Sequence, residues 1–243
     1  MNSRMPSLFS REKFLEALKD SLTPRYIDKH PLMEMLYGGE LSKKQLQAWI
    51  VNRFYMQKNV GMKDAAILSN CPEQEVRRIW ISRSLRREGL ERSPGDIEGW
   101  LTFAEAAGLG RDLVLSAKCL PGVRFAVDGL VNFARRSTWL ESVATSLYEV
   151  LASTELQRRI EALKTHYSWV RSEGFRFYLS RLSQLEQDAS VTLDIVLKYG
   201  STRNSQKAAI SAALFMSDVT WSLHDAIYMN YVIRDSPLSV SLR

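Results

Sequence analysis

Polar side chains, most of them basic, recur at the spacing of one helical turn in two parts of the sequence. Arg53 and Gln57 lie four residues apart, and Arg83 and Arg87 have the same spacing. Residues four apart on a helix share a face, so each pair can point toward one place. Lys63 follows farther along the segment that carries Arg53. These side chains are candidates for binding an anion, and arginine suits carboxylates because its planar fork binds both oxygens.

A second group of charged residues follows later in the chain. Glu149 lies near the end of an apolar segment, Arg159 follows it, and Arg181 lies one helical turn after Phe177. Several arginines inside one bundle would be costly unless an anionic ligand compensated their charge. Two other interpretations stay open for each arginine: a solvated face, or an ion pair with a carboxylate of the bundle. For Glu149 the alternatives are proton transfer and a counter-ion role.

Motifs for metal, nucleotide and serine-hydrolase chemistry are missing from the sequence. Its three histidines, His30, His166 and His224, form neither the Glu-x-x-His pairs of di-iron bundles nor an H-E-x-x-H motif. There is no cysteine quartet, no glycine-rich phosphate loop after a strand and no G-x-S-x-G elbow. We therefore predict no metal site and no nucleotide cofactor.

The composition is that of a globular protein with a basic balance. Apolar residues make up 45% of the 243 residues, charged residues make up 25%, and the formal net charge is +6. That charge permits binding of any anion, but the sequence has no concentrated basic stripe, which disfavours nucleic acid as a partner. Two cysteines, no secretory signal and no bilayer-length apolar run predict a reduced, cytoplasmic protein without membrane contact.

Apolar residues recur at helical spacing almost throughout, which predicts an all-helical protein. The clearest helix start is the capping-box pattern of Ser42 and Gln45, after which a periodic segment runs to about Asn70. Gly61 within it predicts a kink or a break, because glycine costs about 1 kcal/mol relative to alanine in a helix. Pro72 suits the first position of the next helix. Further helices are expected after residue 10, from residue 31 to about 38, and over residues 97–107, 125–151, 154–163, 174–199 and 205–231.

The predicted loops are short, and no linker rich in serine, glycine or proline divides the chain. We therefore predict one domain over residues 1–243, built as a bundle of about seven or eight helices. Residues 1–9 are predicted to be disordered, and residues 236–243 are predicted to form a loose tail.

Three long strings in the sequence resemble signature regions of the pyrroloquinoline-quinone synthase family. They are RFYMQKNVGMKDAAILSNCPEQEVRRIW (residues 53–80), LPGVRFAVDGLVNFARRSTWLESVATSLYEVLA (120–152) and DVTWSLHDAIYMNY (218–231). The segments HYSWV (166–170) and SRLSQ (180–184) and the residue Gly174 extend the resemblance. It covers nearly the whole chain, and its motifs are too long and particular for chance.

The resemblance implies a heme-oxygenase-like helical bundle, shared with thiaminase-like enzymes, that forms homodimers. It also implies an oxidoreductase of pyrroloquinoline quinone (PQQ) biosynthesis. In that reaction a bicyclic precursor rich in carboxylates is cyclised and oxidised by molecular oxygen, and hydrogen peroxide is released. Oxygen is then a co-substrate, no metal or organic cofactor takes part, and the expected ligand is a small polycarboxylated quinone-type molecule.

The resemblance assigns roles to nine positions of this sequence. Glu149 and Arg181 are the predicted catalytic residues. The predicted substrate-binding residues are Tyr26, Arg53, Gln57, Lys63, Arg83, Arg87 and Arg159. The set that binds an anionic substrate is therefore largely intact.

Positions that serve proton transfer in the family differ in this chain. Its histidines are replaced by Ile27, Arg87 and Leu156, a lysine by Met216, and tyrosines by Met56, Leu130 and Phe177. Isoleucine and leucine accept no proton, and arginine is a permanent cation, whereas a general base must titrate near neutrality. Loss of one such residue typically costs about 100- to 10,000-fold in rate. His30 and His166 match positions that look structural, so they do not replace the lost imidazoles.

Three functional hypotheses follow from this combination. The first is an authentic synthase whose base is supplied by Glu149 or by water. The second is a diverged oxygen-dependent enzyme acting on a related substrate. The third is a non-catalytic binder or carrier of PQQ or its precursor, since resemblance of fold does not fix function.

Overall fold

The protein is built almost entirely from helices, as the sequence predicts. The computed structural model describes residues 8–90 and 93–234. In these residues there are eleven α-helices: α1 (Arg11–Leu22), α2 (Pro31–Tyr37), α3 (Lys43–Asn70), α4 (Gln74–Glu88), α5 (Asp96–Ala106), α6 (Arg111–Ser116), α7 (Pro121–Arg136), α8 (Trp139–Ala144), α9 (Ala152–His166), α10 (Phe175–Tyr199) and α11 (Arg203–Tyr228). The count exceeds the predicted seven or eight: the nine helical segments expected individually become eleven, because α6 is not predicted and one predicted helix is divided.

Shorter elements connect the α-helices. Four are 3₁₀-helices (Thr23–Arg25, Ile27–Lys29, Thr145–Leu151 and Ser172–Gly174), and a π-helical turn, Met229–Ile233, extends α11. Strands β1 (Gly89–Leu90) and β2 (Ser93–Pro94) pair antiparallel, with Gly89 opposite Pro94. This strand pair lies between α4 and α5 in the chain.

Helices α2 and α3 begin at residues whose side chains can accept hydrogen bonds from free backbone N–H groups. Ser42 caps α3, and its side chain and that of Gln45 satisfy each other's backbone N–H groups, which confirms the predicted capping box. Pro31 begins α2, and His30 Nδ1 accepts a hydrogen bond from Leu32 N at 3.1 Å. Pro72, by contrast, lies outside α4, because Glu73 is the N-cap of that helix.

Two sequence predictions about helix continuity are wrong: a break at Gly61, and one uninterrupted helix over residues 125–151; a kink at Gly61 stays a prediction. Gly61 does not break α3, which runs from Lys43 to Asn70. The predicted helix 125–151 is divided at Ser137 and Thr138, where Thr138 forms a capping box with Glu141 and starts α8. After α8 the chain tightens into the 3₁₀-helix Thr145–Leu151. A serine or threonine at an N-cap offers the backbone a local alternative to the continuous helix, which explains the division.

The helices enclose two apolar cores. The larger core contains Trp49, Trp100 and Phe103, and the smaller one contains Phe14 and Trp80. Helix α3 packs on α7, α7 packs on α11, and both α10 and α11 pack on the 3₁₀-helix Thr145–Leu151. That 3₁₀-helix lies between the cores, because its Tyr148 and Leu151 contact both of them.

The predicted terminal segments fall largely outside the described residues. Residues 1–7 and the predicted tail 236–243 are not described. Phe9, within the segment predicted to be disordered, donates its backbone N–H to Gln206 Oε1 at 2.8 Å. Among residues 8–90 and 93–234, no helix is long and apolar enough to cross a membrane.

Candidate functional site

Most of the predicted functional residues line one cavity inside the bundle. The lining includes residues of α3, α4, α9, α10 and α11 and of the 3₁₀-helix Thr145–Leu151. Eight of the nine predicted site residues line it: Tyr26, Arg53, Gln57, Lys63, Arg87, Glu149, Arg159 and Arg181. The interpretation of these residues as a solvated face is therefore wrong.

Arg83 is the predicted ligand-binding residue that does not line the cavity. Its side chain is buried and donates from Nη2 to Glu149 Oε1 at 2.5 Å. Its Nη1 lies 3.5 Å from Asp188 Oδ2. Because both of its terminal nitrogens lie near carboxylates of the protein, the charge of Arg83 is compensated within the chain.

Glu149 is surrounded by arginines from two helices. Its Oε1 accepts hydrogen bonds from Arg83 and from Arg87 Nη2, the latter at 3.0 Å, and Arg181 Nη2 lies 3.7 Å away. Burial alone would raise the pKa of Glu149, but attraction to these arginines lowers it to about 2. A carboxylate with so low a pKa is a weak proton acceptor near neutrality. The geometry favours a counter-ion role for Glu149, and its catalytic role stays a prediction.

Lys63 is a buried amine beside this cluster. It donates from Nζ to Ser146 Oγ at 3.0 Å and to Thr145 Oγ1 at 3.4 Å, and Asp64 Oδ1 lies 3.6 Å away. Burial lowers the pKa of Lys63 to about 8; Asp64 opposes that change, and Arg87 reinforces it. A substantial share of this side chain is therefore neutral in mildly alkaline solution.

Arg159 and Glu155 form a second buried ion pair in the lining. Arg159 donates from Nε and Nη2 to Glu155 Oε1, at 3.0 and 2.6 Å. Tyr37 donates its hydroxyl to the same oxygen at 2.6 Å. Arg159 is thus held one turn after Glu155 on α9, and its charge is largely compensated inside the protein.

Arg53 differs from the other arginines of the cavity lining because it has no carboxylate partner in the described parts of the chain. Its Nη1 is buried without a hydrogen-bonding partner there, and its guanidinium lies 5.7 Å from the ring centroid of Trp100. Burial lowers the pKa of Arg53 to about 10, with Arg159 adding to the effect, so the group is charged at neutral pH. A buried cation without a partner is energetically unfavourable, and an anion from outside the chain would compensate its charge.

The charge of the whole lining agrees with this conclusion. The basic lining residues are Arg53, Lys63, Arg87, Arg159 and Arg181, and the acidic ones are Asp96, Glu149 and Glu155. With five basic and three acidic groups the cavity has an excess of positive charge. A ligand with several carboxylates would compensate that excess.

His224 is the one histidine of the described residues that lines the cavity. Its Nε2 accepts the indole N–H of Trp49 at 3.0 Å, and its Nδ1 lies 2.7 Å from the carbonyl oxygen of Thr220. Because an indole can only donate and a carbonyl can only accept, these partners assign the proton to Nδ1. Burial holds the pKa of His224 well below its usual range, so the imidazole stays neutral and both of its nitrogens are occupied.

The positions that the resemblance assigns to proton transfer all face the same cavity. They are Ile27, Met56, Arg87, Leu130, Leu156, Phe177 and Met216. Six of these seven side chains cannot titrate, and the seventh, Arg87, is bound to Glu149. The cavity therefore combines five basic side chains with apolar side chains at six of these seven positions.

Several lining residues were not predicted from the sequence. They are Asp96, Trp100, Thr145, Ser146, Tyr148, Glu155, Tyr178 and Thr220. The hydroxyls of Tyr148 and Tyr178 are buried, and neither has a hydrogen-bonding partner in the part of the chain that the structure describes. Aromatic residues at helical spacing resemble ordinary core residues in a sequence, so no signal separates these two from the core.

The described residues contain no group of three or more histidine, cysteine, aspartate or glutamate side chains that could hold a metal ion. Cys71 and Cys119 are free thiols.

Solved structures define the class of this helical bundle. A protein from Shewanella denitrificans, described as a domain of unknown function with a heme oxygenase-like fold, superposes with a TM-score of 0.81 at 12% identity, over 98% of this chain and 100% of that chain. A TenA homologue from P. horikoshii gives 0.68 at 12% identity, over 89% and 98% of the two chains. The protein therefore has a heme-oxygenase-like fold around a cationic cavity.

Sequence comparison gives the family. The chain belongs to the TENA/THI-4/PQQC family, which it matches over residues 17–226. It is 44% identical to a pyrroloquinoline-quinone synthase of Pseudomonas aeruginosa over 228 residues, 93% of this chain and 91% of that protein. It is also 41% identical to a protein of the same name from Acinetobacter baylyi over 232 residues, 95% and 91% of the two chains. The predicted resemblance is confirmed.

Proposed function

We propose that this chain acts in pyrroloquinoline quinone biosynthesis and binds a polycarboxylated, quinone-type ligand in its cationic cavity. The single observation that carries the proposal is the buried guanidinium of Arg53, which lines the cavity without a carboxylate partner in the described residues. Relatives 41–44% identical over more than nine-tenths of the chain are named pyrroloquinoline-quinone synthase, which supports this ligand class.

The ligand carboxylates have distinct partners in this proposal. Arg53 binds one carboxylate with its unpaired nitrogen, and Arg181 binds a second one. Arg181 is available because its nearest acidic oxygens, on Glu149 and Asp96, lie 3.7 and 3.9 Å away. Gln57 and Tyr26 supply neutral polar contacts from the same lining. Charge-assisted hydrogen bonds of this kind are stronger than neutral ones, so they hold the ligand in one orientation.

The reaction proposed first is that of the related synthases as the resemblance implies it. A bicyclic precursor is cyclised and oxidised by molecular oxygen with release of hydrogen peroxide, without a metal or organic cofactor. A cytoplasmic location and a homodimer belong to the same proposal. They are expected from the resemblance and from the sequence, and they stay predictions.

Single-turnover absorbance tests this proposal directly. Purified protein is mixed with the bicyclic precursor in air, and the quinone spectrum and hydrogen peroxide are followed together. Stoichiometric appearance of both would establish the oxidase. A ligand-induced spectral shift without turnover would overturn the catalytic part and leave the binding part standing. Absence of any shift, together with no binding in calorimetry, would overturn both.

A second function, non-catalytic binding of the quinone or its precursor, is favoured by one specific observation. The seven positions that the resemblance assigns to proton transfer face the cavity, and six of them carry side chains that cannot titrate. His224 cannot serve as a base while both of its nitrogens are hydrogen-bonded. A binder would hold quinone with the same cations and release it unchanged, which equilibrium dialysis of unreacted quinone would reveal.

A further inference from the structure

Lys63 combines three features that neither ion pairing nor packing requires. Its amine is buried, it lines the cavity, and it is held by two hydroxyl groups rather than by a carboxylate at hydrogen-bonding distance. The nearest carboxylate oxygen, on Asp64, lies at 3.6 Å and belongs to a group that Arg87 and Trp80 also contact. A lysine placed only to balance charge would contact its carboxylate directly.

The two hydroxyls hold the amine in a form that can react. Thr145 Oγ1 donates its hydrogen to the carbonyl oxygen of Ser142 at 2.7 Å, so toward Lys63 it can only accept. Ser146 Oγ accepts a second N–H bond from Lys63. A neutral amine has two N–H bonds for these two acceptors and retains its lone pair. The contacts seen here therefore suit the neutral amine as well as the ammonium ion.

Charges on α3, on α4 and on the 3₁₀-helix Thr145–Leu151 act on this amine. Asp64 on α3 and Glu149 on the 3₁₀-helix favour the ammonium form, whereas burial and the two α4 arginines, Arg83 and Arg87, oppose it. The combined effect of burial and the arginines exceeds that of the two carboxylates, so the pKa of Lys63 falls to about 8. With each pKa unit worth a factor of ten, its neutral fraction near pH 7 is about 300-fold that of a lysine with the ordinary pKa of 10.5. Lysines desolvated near other cations are known to react as nucleophiles.

We propose that Lys63 is an amine nucleophile that forms a reversible imine with a carbonyl carbon of the anionic ligand held in the cavity. The nitrogen lone pair attacks the carbonyl carbon, and a C–N bond forms as the C=O π bond opens. A proton moves from nitrogen to that oxygen, which gives a carbinolamine. The oxygen takes a second proton from the surrounding solvent and leaves as water, the nitrogen lone pair forms the C=N bond, and the nitrogen returns its remaining proton to solvent, so the oxidation level does not change.

This inference rests on the proposed function only for the identity of the ligand. A quinone-type molecule carries both features that the site requires, carboxylates for Arg53 and Arg181 and an electrophilic carbonyl for Lys63. Reversible imine formation would retain the ligand through a covalent bond in addition to ion pairs. The same bond would polarise the ring to which the carbonyl belongs.

The test uses para-carboxybenzaldehyde as the probe, with sodium borohydride to reduce any imine to a stable secondary amine. Labelled protein is digested, and the label is located by peptide mass spectrometry. Within the wild-type protein, label at Lys63 should exceed label at Lys58 at least tenfold near pH 8. Lys58 is a matched control, because it lies on the same helix and its side chain is exposed. This comparison needs no variant and is therefore independent of any folding defect.

Two variants and one competitor complete the experiment. Lys63→Arg should remove the label from that peptide, and Lys58→Arg should leave the label on Lys63 unchanged. Excess pyrroloquinoline quinone should protect Lys63. Label on Lys63 no greater than on Lys58 would overturn the inference, even if calorimetry shows that the quinone binds. Selective label on Lys63 without quinone binding or protection would instead overturn the proposed function and leave the nucleophile in place.

Discussion

At the scale of single residues, Arg53 offers the sharpest test of the cavity as an anion site. Arg53→Met keeps an unbranched side chain next to Trp100 but removes the charge. A hydrogen bond to a charged group contributes about 1.5–3 kcal/mol, so affinity for the quinone should fall about 10- to 100-fold. The free energy of unfolding of the ligand-free protein should not fall, because the variant removes a buried cation without a partner. Isothermal titration calorimetry and urea unfolding measure the two quantities.

Arg158 provides the matched control on the exposed surface. Its guanidinium lies 4.1 Å from the ring centroid of Tyr37, outside the cavity lining. Arg158→Met removes the same charge from the protein as a whole and should leave affinity unchanged. Equal losses in the two variants would mean that net charge, rather than a defined contact with Arg53, attracts the ligand.

Glu149 gives a prediction about pH and stability. The pKa of Glu149 is about 2 in the folded protein against 4.5 for the free side chain, so the unfolded chain binds its proton first as pH falls. The stabilisation is therefore complete above pH 4.5 and is lost as pH falls through this window to about 2, and it amounts to about 3 kcal/mol. Urea unfolding of wild-type and Glu149→Gln protein at pH 6 and pH 3 measures this contribution.

The Glu149→Gln variant should behave differently at the two pH values. At pH 6 it should be less stable than wild type by about 3–5 kcal/mol, because Arg83 and Arg87 lose their shared carboxylate. At pH 3 the difference should shrink. Glu186→Gln, at an exposed position of α10, should match wild type at both values. An unchanged difference at pH 3 would contradict the low pKa of Glu149.

The predicted residues show what a sequence can and cannot supply at this scale. Spacing and resemblance together select eight residues that line one cavity, because charged positions on successive helix turns share a face. Which cations are already neutralised is not visible in the sequence. Arg83 pairs with a carboxylate 66 residues away, and only tertiary packing decides that pairing. Arg159 pairs with Glu155 four residues before it on the same helix, a pairing that the spacing permits but does not require. The neutral tautomer of His224 likewise depends on Trp49, a residue of another helix.

At the scale of elements, Gly61 tests how α3 tolerates a glycine in its interior. A β-carbon at this position would overlap Glu88 Oε1, the end of an exposed, flexible side chain that can move away. The gain in helix propensity should then dominate, and Gly61→Ala should stabilise the protein by up to about 1 kcal/mol. Urea unfolding at neutral pH measures the change.

Gly39 is the contrasting control for the glycine prediction. Its φ is +73°, in the left-handed region, and a β-carbon would lie 2.6 Å from His166 Cγ. Gly39→Ala should therefore destabilise the protein, because strain and crowding act together. Destabilisation by Gly61→Ala of similar size would mean that α3 and α4 need the close approach that glycine permits.

The division of the predicted helix 125–151 has a local cause with a functional consequence. Apolar periodicity continues through this region, so it predicts one helix. The structure instead ends α7 at Arg136 and tightens the chain after α8 into the 3₁₀-helix Thr145–Leu151. This element presents Thr145, Ser146 and Glu149 to the cavity. Periodicity identifies buried faces, but it does not distinguish a continuous helix from two helices joined by a capping residue.

At the scale of the whole molecule, the cavity lies where residues of seven α-helices and of the 3₁₀-helix Thr145–Leu151 meet. A ligand that contacts several elements binds the folded chain and not the unfolded one, so its binding must raise global stability. At a quinone concentration 100 times the dissociation constant, stabilisation should be about 2.7 kcal/mol. For a chain of this size that corresponds to a rise in Tm of about 5–10 °C.

The rise in Tm on ligand binding also distinguishes binding in the cavity from binding on the surface. At that quinone concentration Arg53→Met should retain about 1.4 kcal/mol of stabilisation or less, because its affinity is at least tenfold lower. Arg158→Met should keep the full rise in Tm. Scanning calorimetry in low and high salt measures both, and the rise should persist in high salt, since buried ion pairs are screened less than exposed ones. A rise that disappears with salt, or one that both variants retain in full, would place the ligand on the basic surface and not in the cavity.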